Sequence, residues 1–268
     1  MYLRNLAASA AGLLLLAACG QQEAANGSAP PEQNESMDHA ARAAAALSDP
    51  ARPEADHADD ALRKPANVLA FIGIEPGMTV FEMEAGTGYY TELFSTLVGA
   101  DGEVIMQNPA VFDTFLGDAV PTRVDGRLEN VRVSKTNFDN LDAEDGSADI
   151  VTWMLGPHEL YYTPNGGGPL GDVEATYAEI ARVLKPGGVF VALDHAAADG
   201  SPETTGGATH RIDPQIVKDL AMEAGLVFSG ESDVLRNPQD SYETGVFDAS
   251  VRRKTDRFLY KFTKPEEE

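Results

Sequence analysis

The chain has 268 residues, a length that suits one α/β domain with extensions. Its formal net charge is −23, and the sequence VRRK at 251–254 is a short, isolated basic run. Proteins bind nucleic acids through clusters of Lys and Arg, so this composition argues against DNA or RNA as a partner. A single cysteine excludes an internal disulfide.

The N-terminal segment has the layout of a secretory signal. In residues 1–18 a basic residue precedes an apolar run that is shorter than the roughly 20 residues of a membrane-spanning helix. The sequence LAAC at 16–19 resembles the lipobox of bacterial lipoproteins, which implies lipidation of Cys19 and a membrane anchor in the cell envelope. Gly20 is similar to the residue found in lipoproteins sent to the outer membrane, facing the periplasm. The alternative is an ordinary signal peptide with an accidental cysteine.

A tether and a folded domain are predicted after the signal. Residues 21–37 are rich in polar residues, Pro and Ala and lack aliphatic periodicity, so 19–45 are predicted to be a flexible tether. Within the following stretch, HAARAAAAL at 39–47 favours a short helix because alanine has the highest helix propensity. The folded domain is predicted to cover 46–268.

Strand-like and helix-like segments alternate through this domain. The predicted strands are TVFEME, EVIMQ, VRVSK, ADIVTWML, VFVALD, a segment near 226–229, and RFLYKF. Repeated β-α-β units imply a parallel sheet covered on both faces. We therefore predict a Rossmann-like α/β fold with a seven-stranded, mostly parallel sheet, helices on both faces and an antiparallel last strand. Two long inserts, 196–209 and 236–255, are either functional loops or passive surface segments.

The first predicted strand leads into a glycine-rich turn and then a helix, in the sequence TVFEMEAGTGYYTEL at 79–93. Such a turn presents backbone N–H groups and the positive end of a helix to a ligand. Gly86 and Gly88 would let that ligand approach the main chain without a Cβ in the way. A bare turn explains the two glycines equally well.

Three segments in order strengthen the ligand interpretation. VFEMEAGTGYYTEL, VRVSKTNFDNLDAEDGSADIVTWM and EIARVLKPGGVFVALDH resemble, in order and spacing, the motifs of class I S-adenosylmethionine-dependent methyltransferases. The resemblance implies S-adenosylmethionine as cofactor and methyl transfer to a small molecule or an envelope component. Together with the lipobox, the segments GTGYYTE, HRID and GESDVLRNP look like a group of predicted methyltransferases of the bacterial envelope.

The resemblance assigns cofactor-binding roles to individual positions. Glu82 would hold the amino end of the cofactor, Asn108 would meet the ribose hydroxyls, and Asn137 would meet the adenine amino group. The full implied set is Glu82, Glu84, Gly86, Gly88, Asn108, Asn137 and Phe138, with Phe138 beside the adenine ring.

This set departs from the family pattern at three positions. Glu84 replaces a glycine, and Asn108 and Asn137 replace carboxylates. An amide still accepts a hydrogen bond but lacks the charge that strengthens it. The loss of charge at both positions costs on the order of 1–3 kcal/mol in total, which predicts weaker cofactor binding rather than none.

His158 and His195 are the candidate catalytic bases, because each follows a predicted strand and histidine titrates near neutrality. A structural hydrogen-bonding role is the alternative for each. Asp194, His195 and His210 carry side chains that could bind a divalent metal ion. The sequence lacks compact ligand spacing such as H-x-x-x-H, so no metal is predicted.

Two other functions remain open. A non-catalytic ligand-binding or scaffold lipoprotein would have kept the fold and lost the donor, which the changes at Glu84, Asn108 and Asn137 favour. A dinucleotide-dependent oxidoreductase could use the same turn. Its fingerprint G-x-G-x-x-G is not matched by E-x-E-x-G-x-G, so the oxidoreductase is the weaker alternative.

Overall fold

The computed structural model describes residues 31–164 and 167–266. The predicted signal and Cys19 lie outside the described residues. The described chain forms a seven-stranded sheet with the order β3-β2-β1-β4-β5-β7-β6. Its strands are β1 (Thr79–Met83), β2 (Glu103–Gln107), β3 (Val131–Ser134), β4 (Ala148–Met154), β5 (Leu184–His195), β6 (Val227–Glu231) and β7 (Arg257–Thr263).

Strands β1 to β5 pair in parallel, and β7 is antiparallel to both β5 and β6. This arrangement confirms the predicted Rossmann-like sheet with an antiparallel last strand. Because parallel strands end at one edge, the carboxyl ends of β1, β4 and β5 lie side by side. The predicted site residues lie at or after the carboxyl ends of the five parallel strands, β1 to β5.

The helices cover both faces of the sheet. They are α1 (Pro31–Leu47), α2 (His57–Arg63), α3 (Pro65–Ile72), α4 (Tyr89–Val98), α5 (Asp113–Leu116), α6 (Ala119–Val124), α7 (Val173–Val183), α8 (Thr205–Thr209) and α9 (Pro214–Glu223). Adjacent residues of β1 belong to hydrophobic cores on opposite faces of the sheet. Val80 packs with α3 and α4, whereas Phe81 packs with α7 and α9. Because the central strands are buried on both faces, their sequences are nearly continuous apolar runs. Among the described residues, no helix has the length and apolar character needed to cross a membrane.

The folded part begins earlier than the predicted boundary at residue 46. Helix α1 starts at Pro31, and Ala43 and Ala46 on it are buried in the core with Val68 and Leu69 of α3. The second half of the predicted tether is therefore helical, and Ala43 near its end packs on the domain.

Both inserts lie over the carboxyl end of the sheet and are fastened there. The guanidinium of Arg211 is fully buried and donates to the Asp240 carboxylate at 2.8 Å and to the Thr244 carbonyl at 2.9 Å. These bonds connect the segment that follows the first insert to the second insert. A buried ion pair of this kind holds a defined geometry, because the loss of either partner would leave an uncompensated charge.

Candidate active site at the carboxyl edge of the sheet

The glycine-rich turn occupies residues 84–88, between β1 and α4. Gly86 has a φ of +59°, and a Cβ added there would meet nothing within 4 Å, so its outer side is open to a ligand. Gly88 differs, because a Cβ there would lie 2.9 Å from Cγ of Arg123. Gly88, expected to face the cofactor, therefore permits packing of the turn against Arg123, and Gly86 provides the close approach.

Two buried amides at the end of β2 hold this turn. The side-chain oxygen of Asn108 accepts from the Gly86 N–H at 2.8 Å, and its amide nitrogen donates to the Gly86 carbonyl at 3.1 Å. Gln107 accepts from the Glu84 N–H at 2.8 Å and donates to the Thr136 carbonyl at 2.6 Å. The side chain of Asn108, expected to meet the ribose, thus supports the backbone of the turn.

Glu82 is buried beneath the turn, at the end of β1. The hydroxyl of Thr91 on α4 donates to its carboxylate at 2.5 Å. Burial raises the pKa of Glu82 to about 8, although the bond from Thr91 opposes this shift. Without a ligand, Glu82 therefore carries a proton at neutral pH. Its hydrogen bond with Thr91 connects β1 to α4, on either side of the turn.

Glu84 stands where the family pattern has a glycine, and its backbone shows why glycine suits that position. Its φ is +52°, in the left-handed region that costs L-residues roughly 1–2 kcal/mol. Its carboxylate accepts a hydrogen bond from the Trp153 indole at 3.0 Å and lies close against Gly156. Burial, and then the charge of Glu159, raise the pKa of Glu84 well above its usual value.

The expected adenine contacts divide into one exposed and one buried residue. Asn137 is exposed, after β3, and is accessible to a ligand. Phe138 is fully buried, with its ring centroid 4.8 Å from that of Trp153. The assignment of Phe138 to the adenine ring requires correction, because its apolar ring fills the core beneath β4 instead.

A cluster of histidines and carboxylates lies beyond the ends of β4 and β5. The Asp194 carboxylate is 2.8 Å from Nδ1 of His158 and accepts from the His158 N–H at the same distance. Burial opposes protonation of His158, but the charge and hydrogen bonds of Asp194 and Glu159 outweigh it and raise its pKa to about 10. The carboxylates around His158, a candidate base, therefore favour a positive charge beside its ring and make it less suited to act as a free base.

Two further residues complete this cluster. Nε2 of His158 lies 3.2 Å from Nδ1 of His210 and 3.3 Å from a carboxylate oxygen of Glu159. The set considered for a metal in the sequence, Asp194, His195 and His210, is not the set whose ligand atoms converge. The signal that could have revealed His210 was the Gly206-Gly207 pair in the first insert, which allows close packing.

The second candidate base, His195, faces a separate cavity of about 230 Å³. Its Nδ1 lies 2.7 Å from the Thr255 hydroxyl, and burial followed by the charge of His158 lowers its pKa well below the usual value. The lowered pKa favours the neutral form of the His195 ring and makes it a weaker base than a free histidine. A larger cavity, of about 830 Å³, lies away from this edge, near Gly102 and Asn130.

The wall of the smaller cavity is strongly basic. Four arginines line it, Arg63, Arg252, Arg253 and Arg257, together with one carboxylate, Asp59. Asp59 pairs with Arg253 at 2.7 Å and with Arg63 at 3.2 Å. In a chain of net charge −23, this surplus of arginine marks a place that suits an anionic group.

The turn fits the cofactor that the sequence implies. Gly86 leaves its outer side open, and α4 begins immediately after the turn at Tyr89, so the positive end of that helix faces the same edge. The guanidinium of Arg63 lies 4.4 Å from the centre of the Tyr89 ring, which places the basic cavity beside the turn. The Glu84 carboxylate, which accepts from Trp153, lies in the same turn.

Comparisons with known proteins agree with this fold and cofactor. Residues 82–192 match the methyltransferase domain family. The ubiquinone/menaquinone biosynthesis C-methyltransferase of Shewanella baltica is 32% identical over 123 residues, which are 46% of this chain and 44% of that protein. The chain therefore spans less than half the length of the curated relatives it matches.

Solved structures show the same fold over more of the chain. A SAM-dependent methyltransferase from Aquifex aeolicus matches 81% of this chain and 94% of its own, with a TM-score of 0.56 and 20% identity. The Haemonchus contortus phosphoethanolamine N-methyltransferase 2, solved with S-adenosyl-L-methionine, matches 76% of this chain and 53% of its own, with a TM-score of 0.54 and 13% identity. Residues 82–192 are thus similar to a methyltransferase domain, the sheet has the fold of the class I methyltransferases, and these comparisons support S-adenosylmethionine as the cofactor.

Proposed function

We propose that the protein transfers a methyl group from S-adenosylmethionine to an acceptor that carries an acidic group, either a small molecule or an envelope component. The observation that carries this proposal is the adjacency of two features, the open side of Gly86 and the arginine-lined cavity beside Tyr89. When bound, S-adenosylmethionine supplies a methyl group on a sulfonium, which an acceptor takes by in-line displacement.

The residues of the chain have separate tasks in this proposal. The turn at Gly86 and the start of α4 hold the cofactor, and Arg63 and Arg257 orient the anionic part of the acceptor. A hydroxyl or amine acceptor loses a proton on methylation, and the ring of His195 accepts it. His158 is unsuited to that task, because both of its ring nitrogens already have partners among Asp194, Glu159 and His210.

The non-catalytic alternative retains two specific observations in its favour. Glu84 places a carboxylate against Gly156, and Asn108 uses its side chain to hold the turn. We expect both features to weaken cofactor binding, because the Glu84 carboxylate and the Asn108 amide are already hydrogen-bonded within the protein. A scaffold protein with this geometry would bind an anionic ligand in the basic cavity without transferring a methyl group.

The location of the protein belongs to the same proposal. The apolar run at 6–18 and the LAAC sequence support a lipid anchor at Cys19, with the domain outside the cytoplasm and facing the periplasm. Expression of Cys19→Ser with its signal intact tests the anchor. The variant should leave the membrane fraction, whereas retention there would show that something other than Cys19 holds the protein.

Labelled methyl transfer tests the activity. The protein and S-adenosylmethionine with a labelled methyl group are incubated with an envelope extract that has been separated by anion exchange into anionic and neutral fractions. Label should enter the anionic fraction with the parent protein and not with Gly86→Val. Label in the neutral fraction alone would contradict the anionic acceptor, and no label in either would favour the scaffold.

A further inference from the structure

Three potential ligand atoms meet at the carboxyl edge of β4. Nε2 of His158, Nδ1 of His210 and a carboxylate oxygen of Glu159 form a triangle with sides of 3.2, 3.3 and 3.3 Å. The side chains are 4%, 17% and 12% exposed, respectively. The triangle is therefore mostly enclosed, and its two more accessible members leave a route from solvent.

The dimensions of this triangle suit a tetrahedral metal ion. For metal-to-ligand distances of about 2.0–2.1 Å, the ligand atoms of a tetrahedral site are about 3.3–3.4 Å apart. The three observed distances agree with that edge length. Two imidazoles and one carboxylate also match a common zinc ligand set that leaves the fourth position for water. We propose that His158, Glu159 and His210 bind one divalent cation, Zn²⁺.

The surroundings of the triangle support a cation. Asp194 is fully buried and bonds Nδ1 of His158, which leaves Nε2 to face the other two ligand atoms. A carboxylate in this position orients metal-binding histidines and increases their basicity. Asp194 and Glu159 together supply two negative charges, which balance a divalent ion.

The ring of His210 is also held in place. The Tyr162 ring packs against it with centroids 4.8 Å apart, and the Phe247 ring packs edge-on at 4.9 Å. Its backbone φ is +54°, a left-handed conformation that histidine tolerates better than most residues. Aromatic contacts and a fixed backbone limit the positions of Nδ1, as a preorganised ligand requires.

Two glycines explain how distant segments supply the ligands. A Cβ on Gly206 would lie 2.5 Å from the His158 carbonyl oxygen, and one on Gly207 would lie 2.5 Å from that of Tyr161. Helix α8 therefore rests directly on the 3₁₀ turn Pro157–Tyr161. This contact brings His210, 52 residues away in the sequence, to His158.

Shared protons are the competing explanation of the triangle. If both imidazoles donate to Glu159, their two N–H groups would face each other with the nitrogen atoms 3.2 Å apart. This arrangement is unfavourable, because both groups are donors. If a single proton is shared between the rings, one of the three contacts lacks a donor. A central cation satisfies all three atoms at once. This inference does not depend on methyl transfer, and its test requires neither S-adenosylmethionine nor an acceptor.

Direct metal binding tests the site. The protein is stripped with a chelator and titrated with Zn²⁺ against a chromophoric competitor, and Co²⁺ is then added separately for its visible spectrum. We expect one Zn²⁺ per chain and the intense absorption bands of tetrahedral Co²⁺. Glu159→Gln removes a ligand at constant shape, and His210→Gly removes another while suiting the left-handed backbone. Each variant should lose at least tenfold in Zn²⁺ affinity and lose the Co²⁺ bands.

The control is His57→Gln, which changes an exposed histidine outside the cluster. It should bind Zn²⁺ as the parent does. Circular dichroism of the metal-free variants separates loss of a ligand from loss of the fold. Sub-stoichiometric binding to the parent, or unchanged affinity in folded Glu159→Gln and His210→Gly, would overturn the metal site and leave a proton-linked cluster. Failure of methyl transfer would not affect either result.

Discussion

The indole nitrogen of Trp153 on β4 donates a hydrogen bond to the carboxylate of Glu84, with 3.0 Å between the two atoms. The bond joins the ends of β1 and β4 across the place where the turn opens. It also fixes a glutamate in a left-handed conformation that the family pattern reserves for glycine. The residue that most distinguishes this turn is thus supported by the core, and it stands beside the open Gly86.

Glu84→Gly should tighten binding of S-adenosylmethionine. The cofactor would no longer have to displace a hydrogen-bonded side chain, and one such bond is worth about 0.5–1.5 kcal/mol, or up to about tenfold in affinity. Calorimetric titration measures the change. Glu84→Gln, which keeps an acceptor for Trp153, should bind within about threefold of the parent. Weaker binding by Glu84→Gly would show that Glu84 contacts the cofactor instead of competing with it.

The stability of the fold should fall as the pH rises toward 8, because of Glu82. The pKa of Glu82 is about 8 in the folded protein and 4.5 for an ordinary glutamate, as in the unfolded chain. Between pH 4.5 and pH 8 the unfolded chain has therefore lost this proton, whereas the folded protein has kept it. The stabilising contribution is complete below 4.5 and disappears as the pH passes through 8.

Urea unfolding at several pH values measures this effect. Glu82→Gln keeps an acceptor for Thr91 and cannot ionise, so its free energy of unfolding should lack this component, which contributes up to about 1.4 kcal/mol per pH unit. If the free energy of unfolding changes with pH in the same way in the parent and in Glu82→Gln, Glu82 is already ionised in the folded state.

Gly206→Ala should weaken the contact between α8 and the segment after β4. The added methyl group would meet the His158 carbonyl, and overpacking of this kind costs about 1–3 kcal/mol. Urea unfolding provides the measurement. Gly168→Ala is the matched control, because a Cβ there meets nothing within 4 Å. Equal stability of the two variants would show that α8 is not tightly packed.

His195→Gln should slow methyl transfer without changing cofactor affinity. Removal of a general base typically costs a factor of about 10²–10⁴ in rate. The measurement compares kcat for an identified acceptor with the dissociation constant for S-adenosylmethionine. A normal kcat would assign proton removal to solvent or to another group, and a changed cofactor affinity would place His195 in the donor site.

The seven strands and the turn were predictable from the sequence because they depend on local patterns. Apolar runs separated by helical segments identified the parallel sheet, and Gly86 marked the open turn. The bracing role of Asn108 was not predictable, because its partners on Gly86 lie 22 residues away. Phe138 was misassigned for a related reason, since position relative to a motif does not show which way a side chain points.

The histidine cluster shows a second limit. His158 and Asp194 follow neighbouring strands, so their proximity could be inferred from a parallel sheet. His210 directly follows the first insert, whose path no periodic pattern determines. Its position depends on Gly206 and Gly207 packing without side chains, which is a property of the tertiary contact and not of either glycine alone.

Calorimetric titration of the mature protein with S-adenosylmethionine and with S-adenosylhomocysteine, alongside folded Gly86→Val, tests the central claim most directly. The account predicts micromolar binding by the parent and a large loss in the variant, because a valine side chain would fill the open side of the turn. No binding by the parent at millimolar ligand, or unchanged binding by folded Gly86→Val, would contradict it.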